Sequence, residues 1–172
     1  GSRFLVRSGG RRLLVDCGLY QGERDLRRRN WQPFPVDPAT IDGVVLSHAH
    51  LDHCGYVPAL VRQGFTGPVW ASPGTAALAP IVLRDSAHLQ EEDAASARAG
   101  GYSKHDPPMP LYDAADAERA IRLFQPVPYG DAVHVDSEVS FSLSRAGHIL
   151  GSSSVLVRTP TGTALFSGDL GR

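Results

Sequence analysis

Short runs of apolar residues mark β-strands in the first part of the chain. Residues 4–7 alternate imperfectly between apolar and polar side chains, the chain turns at 8–10, and apolar residues resume at 13–15, which predicts a hairpin. Residues 43–46 form a short apolar run, as expected of a strand that is buried on both faces. A further apolar run at 69–71 predicts the next strand.

Helical signals separate and follow these strands. Residues 56–63 suit a short helix that ends before Gly64. Ser72 followed by proline is typical of a helix start, and apolar spacing carries that helix to about residue 99. Asp113 is expected to cap a third helix. The apolar face of this third helix is predicted to contain Ala117, Ala120, Ile121 and Phe124.

From residue 125 onward the pattern becomes extended, and a turn at 159–162 precedes a last strand at 164–166. The other strand positions are Val133, Val135, Val139, Phe141, Leu143, Val155 and Val157. The Arg-rich stretch 18–38 predicts a loop with a short helical turn. Strand–loop–helix order early and antiparallel strands late predict an α/β or α+β sandwich.

Composition restricts the classes of function. The chain has 172 residues, 42% of them hydrophobic, enough for one domain or part of a larger one. A net charge of −1 provides no overall attraction for nucleic acid or anionic membranes, so a nucleic-acid substrate must be argued from a local site. Cys17 and Cys54 are the only cysteines, and no apolar run approaches the ~20 residues of a membrane span. We therefore expect a cytoplasmic protein without membrane contact.

The densest chemical signal is the run of residues 48–53, His-Ala-His-Leu-Asp-His, directly after a predicted buried strand. Imidazole nitrogens and carboxylate oxygens are metal ligands. A helix would place His48 and His50 on different faces, so this pair is expected in a loop or at a strand end. Asp52 and His53, on the turn into the next helix, can then bind a second metal.

Two more candidate ligands lie far along the chain. His148 stands between glycines that allow close backbone approach, and Asp169 follows the last strand. The predicted sets are His48, His50 and His148 for one metal, and Asp52, His53 and Asp169 for the other, with Asp169 able to bridge them. Any one of these side chains alone is better explained as an ordinary polar turn residue. All six in this spacing favour a metal site.

These residues resemble the di-metal site of the metallo-β-lactamase fold, which has an HxHxDH motif and then a later His and Asp. Other stretches resemble the β-CASP group of RNA-processing nucleases, namely 14–18 with 21–22, 53–58, 110–129, 147–152 and 166–172. The resemblance implies an αββα sandwich, present as a partial domain. Residues 1–172 are expected to be the N-terminal portion of that domain, with the β-CASP cap domain and the C-terminal return segment absent.

The resemblance also implies that the full-length protein is a ribonuclease with two Zn²⁺ ions, which cleaves RNA phosphodiester bonds with a hydroxide held between the metals. Residues 1–172 alone are expected to be inactive or weakly active. Asp52 is expected to be both a ligand and an orienting group for the hydroxide. Asp16 is expected to accept an N–H from a ligand histidine and so fix its tautomer, although it also suits an ordinary turn aspartate. RNA is the expected partner, and homo-oligomerisation stays open.

Two other hypotheses remain. The same fold serves thioesterases of the glyoxalase II type and lactamases, and a catalytically incomplete fragment with a structural role is the third reading. The run 147–152 and the long insert 71–129 favour the ribonuclease.

Several other polar residues are given weaker roles. Cys17 and Cys54 are interpreted as small buried side chains. His88 is interpreted as a surface or cap-facing residue of the long helix, and His105 and His134 have no partner at metal spacing. The arginines at positions 24, 27, 28 and 29 suit either an RNA-backbone contact or a solvated loop. Asp85 and Ser86 receive a weak substrate-side role. Residues 152–154 are interpreted as the start of a strand.

Overall fold

The computed structural model describes residues 1–101 and 107–171. The strands are β1 (Phe4–Ser8), β2 (Arg11–Val15), β3 (Gly43–Val45), β4 (Val69–Ala71), β5 (Phe124–Pro126), β6 (Ala132–His134), β7 (Ser140–Arg145), β8 (Ser153–Thr159) and β9 (Gly162–Phe166). The α-helices are α1 (Arg24–Arg28), α2 (Leu51–Cys54), α3 (Val57–Arg62), α4 (Pro73–Gly100) and α5 (Ala114–Ile121). Short 3-10 helices span Arg29–Trp31 and Pro38–Thr40.

The strands form two sheets. The first has five strands in the order β1-β2-β3-β4-β5, with β1 antiparallel to β2 and the following pairs parallel. The second has four antiparallel strands in the order β6-β7-β8-β9. Helices cover one face of the first sheet, and the second sheet covers the other. The described residues thus form the α, β and β layers of the predicted αββα sandwich.

Both faces of the first sheet are buried, which explains its continuous apolar runs. Leu14 and Val44 pack under the helices, whereas Leu13 and Val45 contact the second sheet, because successive side chains on a strand point to opposite faces. Phe141 and other inward residues of the second sheet complete this inner core. The loops that follow the strands can therefore converge at one edge of two closely packed sheets.

The predicted helix ends are confirmed. The Ser72 side chain accepts from Thr75 N at 3.2 Å, and Gly101 ends α4 in the left-handed conformation with φ 66°. Asp113 caps α5 in a reciprocal capping box with Asp116. No helix in the described ranges is long and apolar enough to cross a membrane.

Two details of the strand pattern, one in each sheet, were predicted wrongly. Phe124 belongs to β5 and not to the preceding helix, since Leu123 N already bonds to Ala120 O and closes the last turn. Val135 and Val139 lie outside β6 and β7 and join through the hydrogen bond from Val135 N to Val139 O.

Candidate metal centre

The loop after β3 carries the first candidate ligands. Ser47 and His48 are buried, whereas His50 is exposed at the N-cap position of α2. Ser153 N donates to the Ser47 carbonyl at 2.8 Å and so joins the start of β8 to this loop. Asp52 and His53 follow within α2. The prediction that the His-x-His pair lies outside a helix is therefore confirmed.

Three histidine rings converge beside Asp169. His50 Nδ1 lies 3.1 Å from His48 Nε2 and 3.3 Å from His148 Nε2. Asp169 Oδ2 lies 3.9 Å from His48 Nε2 and 3.7 Å from His148 Nε2. All four ligand atoms lie within 4.8 Å of one another. Tetrahedral bonds of about 2.0–2.1 Å separate ligand atoms by about 3.3 Å, so the spacing of the histidine nitrogens fits one metal ion.

A second set of ligand atoms shares Asp169 with the first. Asp169 Oδ1 lies 3.3 Å from His53 Nε2, and Asp52 Oδ2 lies 3.7 Å from the same nitrogen. The two oxygens of Asp169 therefore face different histidines. The structure thus brings together all six residues that the sequence analysis assigned to metal binding.

The protonation states of two histidines reflect their surroundings. Burial, together with the neighbouring His53 and His50, lowers the pKa of His48 to about 4, although Asp169 acts in the opposite direction. His48 is thus neutral near pH 7, as a ligand must be. For His53, burial opposes the charged form, but the hydrogen bond and charge of Asp16, with Asp52 and Asp169, outweigh it and raise the pKa. A neutral His48 imidazole beside the carboxylate of Asp169 fits a divalent metal ion.

Asp16 lies behind the cluster, at the end of β2, and is buried. Its Oδ1 accepts from Ser47 N at 2.7 Å, and its Oδ2 accepts from Ser47 Oγ at 2.9 Å and lies 2.8 Å from His53 Nδ1. Asp16 also has φ 57°, the one positive value among the described non-glycine residues. That backbone conformation is costly for most side chains. The surrounding hydrogen bonds hold the carboxylate against the ring of His53.

The residues after Asp16 pack their backbone directly on α2. Cys17 N donates to His53 O at 2.7 Å, and Leu19 N donates to Leu51 O at 2.8 Å. Between them, a Cβ at Gly18 would lie 1.6 Å from Asp52 O, so only glycine fits. This contact fixes the short helix that carries Asp52 and His53.

The loop that carries His148 is anchored to the start of α4. The Gly151 carbonyl accepts from Ser72 Oγ at 2.5 Å and from Thr75 Oγ1 at 2.8 Å. A Cβ at Gly151 would lie 2.1 Å from Thr75 N, so the two backbones touch. Within the loop, Ser152 Oγ accepts from His148 N at 2.9 Å. The His148 side chain is therefore positioned by α4 as well as by the β7–β8 hairpin.

Thr75→Val is expected to lower the free energy of unfolding by about 1 kcal/mol, because it removes one hydrogen bond with little change in volume. We also expect weaker metal binding, since the Gly151 carbonyl loses a donor that positions the His148 loop. Urea unfolding and metal titration would measure both effects. Thr40→Val is a matched control, because the Thr40 hydroxyl bonds to Asp37 O on the exposed surface. Equal metal affinity in the two variants would contradict the prediction.

Asp169 is placed by the turn after β9. Gly168 has φ 57°, and a Cβ there would lie 2.9 Å from Ser47 Cβ and from Ser153 O. Asp16, His53 and Asp169 line an open cavity of about 320 Å³. Solvent or a ligand can therefore reach the second set.

The sequence analysis missed residues whose roles depend on distant partners. Ser47 bonds to Asp16 and lies 3.0 Å from His48 Nδ1, and its position between a buried strand and His48 was the available signal. Ser72 was recognised as a cap, but its bond to Gly151 and the role of Thr75 were not.

The described residues that were given weaker roles add no ligand atom to the His/Asp cluster. Cys17 and Cys54 are buried free thiols, and burial raises the pKa of both, that of Cys17 to about 12. His88 is exposed and pairs with Glu92, and His134 lies in β6. His105 lies outside the described residues. Ser153 begins β8, as predicted.

The remaining polar candidates lie around a groove of about 630 Å³ between α4 and the loop after β2. Asp85 lines this groove, and Ser86 Oγ bonds to the buried Tyr112 hydroxyl at 2.7 Å. Arg27 also lines it, whereas Arg28 pairs with Asp25. Both interpretations of the arginine cluster stay open.

The fold is an α/β sandwich of two packed sheets with helices over one of them. The His/Asp ligand cluster at the edge of the sheets makes it a candidate metal-binding protein. The chain belongs to the metallo-beta-lactamase superfamily, whose family model matches residues 1–172. The family membership that the HxHxDH motif predicted is therefore confirmed.

Curated relatives include a ribonuclease and a transcription termination factor. The chain is 37% identical over 171 residues to Ribonuclease TTHA0252 from Thermus thermophilus, covering 99% of this chain and 35% of the relative. It is 32% identical to Transcription termination factor FttA from Methanococcus maripaludis, covering 83% of this chain and 20% of the relative. It is 26% identical to Integrator complex subunit 11 from Danio rerio, covering 98% of this chain and 27% of the relative. The chain thus spans about a third or less of the length of these relatives.

Solved structures agree on the fold. A metallo-beta-lactamase from Cronobacter sakazakii, described by its HARLDQ motif, aligns with a TM-score of 0.54 at 21% identity, covering 98% of this chain and 53% of that one. A mutant of the Cronobacter sakazakii protein aligns with a TM-score of 0.55 at 24% identity, covering 95% of this chain and 55% of the mutant. At this level of identity the likeness concerns architecture alone.

Proposed function

We propose that this chain carries the di-zinc site of a ribonuclease of the β-CASP group, which hydrolyses RNA phosphodiester bonds. The observation that carries the proposal is the position of Asp169, whose two oxygens face the His48–His148 set on one side and His53 on the other. A carboxylate between two sets of ligands suits a pair of metal ions. The ribonuclease name of one relative supports RNA as the substrate.

Six side chains would hold the two ions in this proposal: His48, His50 and His148 in one set, Asp52 and His53 in the other, and Asp169 between them. When bound, the metals supply Lewis acidity, which lowers the pKa of water toward about 7 and offsets charge that develops on a phosphodiester oxygen. Asp16 keeps the His53 Nδ1 proton in place, so that Nε2 points its lone pair at the site. Asp52 is half exposed and is the group that we propose orients the attacking water.

Hydrolysis assays test this proposal against the other reactions of the fold. We expect the protein to cleave a labelled single-stranded RNA, to lose that activity after metal removal with a chelator, and to regain it with Zn²⁺. A thioester of the glyoxalase II type and a β-lactam are the comparison substrates. Turnover of a comparison substrate without RNA cleavage would contradict the proposal. Absence of all three activities with full metal content would favour the structural role.

The finer expectations belong to the same proposal. Zinc is the proposed metal because imidazole and carboxylate ligands at tetrahedral spacing suit it. The cytoplasm is the proposed compartment, in keeping with two free, buried cysteines. Homo-oligomerisation stays open, and residues 1–172 are proposed to form the N-terminal portion of the hydrolase domain.

A further inference from the structure

A further cavity borders the loop that carries His148. It has a volume of about 440 Å³, and its walls come from the start of α4, the segment before β6, the end of β7 and the His148 loop. The residues that matter for its chemistry are Tyr129, Arg145 and Leu150. Leu150, two positions after the candidate ligand, is 73% exposed at its rim.

The Arg145 guanidinium is preorganised over an aromatic ring. It lies 4.6 Å from the centroid of Tyr129, a cation–π arrangement. The ring is itself fixed, because the Tyr129 hydroxyl donates to Ser152 O at 3.2 Å. Ser152 Oγ also accepts from His148 N, so Ser152 holds both the Tyr129 ring and the loop that carries His148.

The charge of Arg145 has no acidic partner in the described part of the chain. Arg11, Arg84 and Arg119, by contrast, each pair with an aspartate or glutamate. The first turn of α4 also lines the cavity, and its positive end adds to the potential of the guanidinium. A cavity with a fixed, unpaired guanidinium and an apolar rim is complementary to a phosphate with an attached sugar or base.

We propose that Arg145 binds a non-scissile phosphate of single-stranded RNA, on the strand that runs through the metal centre past His148. This inference rests on the proposed ribonuclease function and adds to it a named anchor for the flanking nucleotide. Arg145 ends β7 and stands three positions before His148, so the anchor and this candidate ligand belong to one short hairpin loop. The exposed Leu150 side chain contacts the sugar or base of that nucleotide.

The test compares Arg145→Gln with Arg158→Gln. Arg158 is an exposed arginine in the same sheet, but it lies opposite Ser140 at the other end of the β7–β8 ladder, away from the His148 loop, and its guanidinium donates to Ser142 Oγ at 3.3 Å. Fluorescence anisotropy with a labelled single-stranded oligoribonucleotide would give RNA affinity as a function of salt. Hydrolysis of bis(4-nitrophenyl) phosphate, a diester without a flanking phosphate, would report on the metal centre alone.

Arg145→Gln is expected to weaken RNA binding about tenfold and to reduce the slope of log K against log salt by about 0.7, the loss of one phosphate contact. Arg145→Lys should keep the slope, and Arg158→Gln should behave as wild type. Hydrolysis of the small diester and metal content should not change in any variant.

Two outcomes would overturn the inference while leaving the ribonuclease proposal intact: RNA binding by Arg145→Gln equal to that of Arg158→Gln, or a loss of metal and small-diester hydrolysis in Arg145→Gln. The second outcome would mean that Arg145 merely supports the His148 loop. If the wild type neither binds nor cleaves RNA, the ribonuclease proposal and this inference both fail.

Discussion

His50→Ala is expected to abolish metal binding at the set formed by His48, His50 and His148. His50 Nδ1 lies within 3.3 Å of both partner nitrogens, so its loss removes the central ligand of the set. Because even groups behind a ligand change metal affinity by about 10–100-fold, removal of the ligand itself should cost more than about 100-fold. The fold should persist, since the side chain is exposed and makes no capping hydrogen bond to α2.

Elemental analysis of protein that has never been exposed to chelator measures this effect directly. Wild-type protein should hold close to two ions per chain, and His50→Ala about one or fewer. His88→Ala is the matched control, because His88 is also an exposed histidine but pairs with Glu92 on α4. Near-normal occupancy of the three-histidine set in His50→Ala would contradict the ligand assignment.

The local part of this site was predictable from sequence because its signals are short in range. A buried apolar run and the closely spaced His48, His50 and His53 place ligands at a strand end without any knowledge of the fold. The convergence of His148 and Asp169 on these histidines, by contrast, was not predictable from short-range signals. It requires the second sheet to pack on the first, as the hydrogen bond from Ser153 N to Ser47 O shows. The spacing of motifs indicated that packing only through resemblance to a family.

The wrong or incomplete predictions also concern residues whose roles depend on partners far away in the sequence. Phe124 fits the apolar period of α5, and only its pairing with Val69 of β4, more than fifty positions earlier, makes it part of a strand. Thr75 fits a helix start, and its second role exists only because Gly151 is brought against it. Local periodicity carries no information about such partners, whereas caps and turns, which are local, were predicted correctly.

Asp16→Ala is expected to lower the free energy of unfolding by about 3–5 kcal/mol, because it leaves several buried donors unpaired at a cost of about 1–3 kcal/mol each. The substitution leaves Ser47 N, Ser47 Oγ and the His53 ring without their acceptor. It also places an alanine at φ 57°, where a side chain without local hydrogen bonds is strained. Asp16→Gly removes the same carboxylate but tolerates this φ, so it should be less destabilised than alanine by about 1 kcal/mol.

Asp16→Asn separates the stability effect from the metal effect. Asparagine tolerates a positive φ and keeps one oxygen for Ser47 N, so its loss of stability should be the smallest of the three. Its amide N–H, however, would face His53 Nδ1 and move the ring proton to Nε2, the atom that lies 3.3 Å from Asp169. A protonated nitrogen cannot bind a metal, so the Asn variant should retain the three-histidine ion and lose the other. Urea unfolding and metal content per chain measure the two effects, and an Asn variant with two ions would show that Asp16 does not set the tautomer of His53.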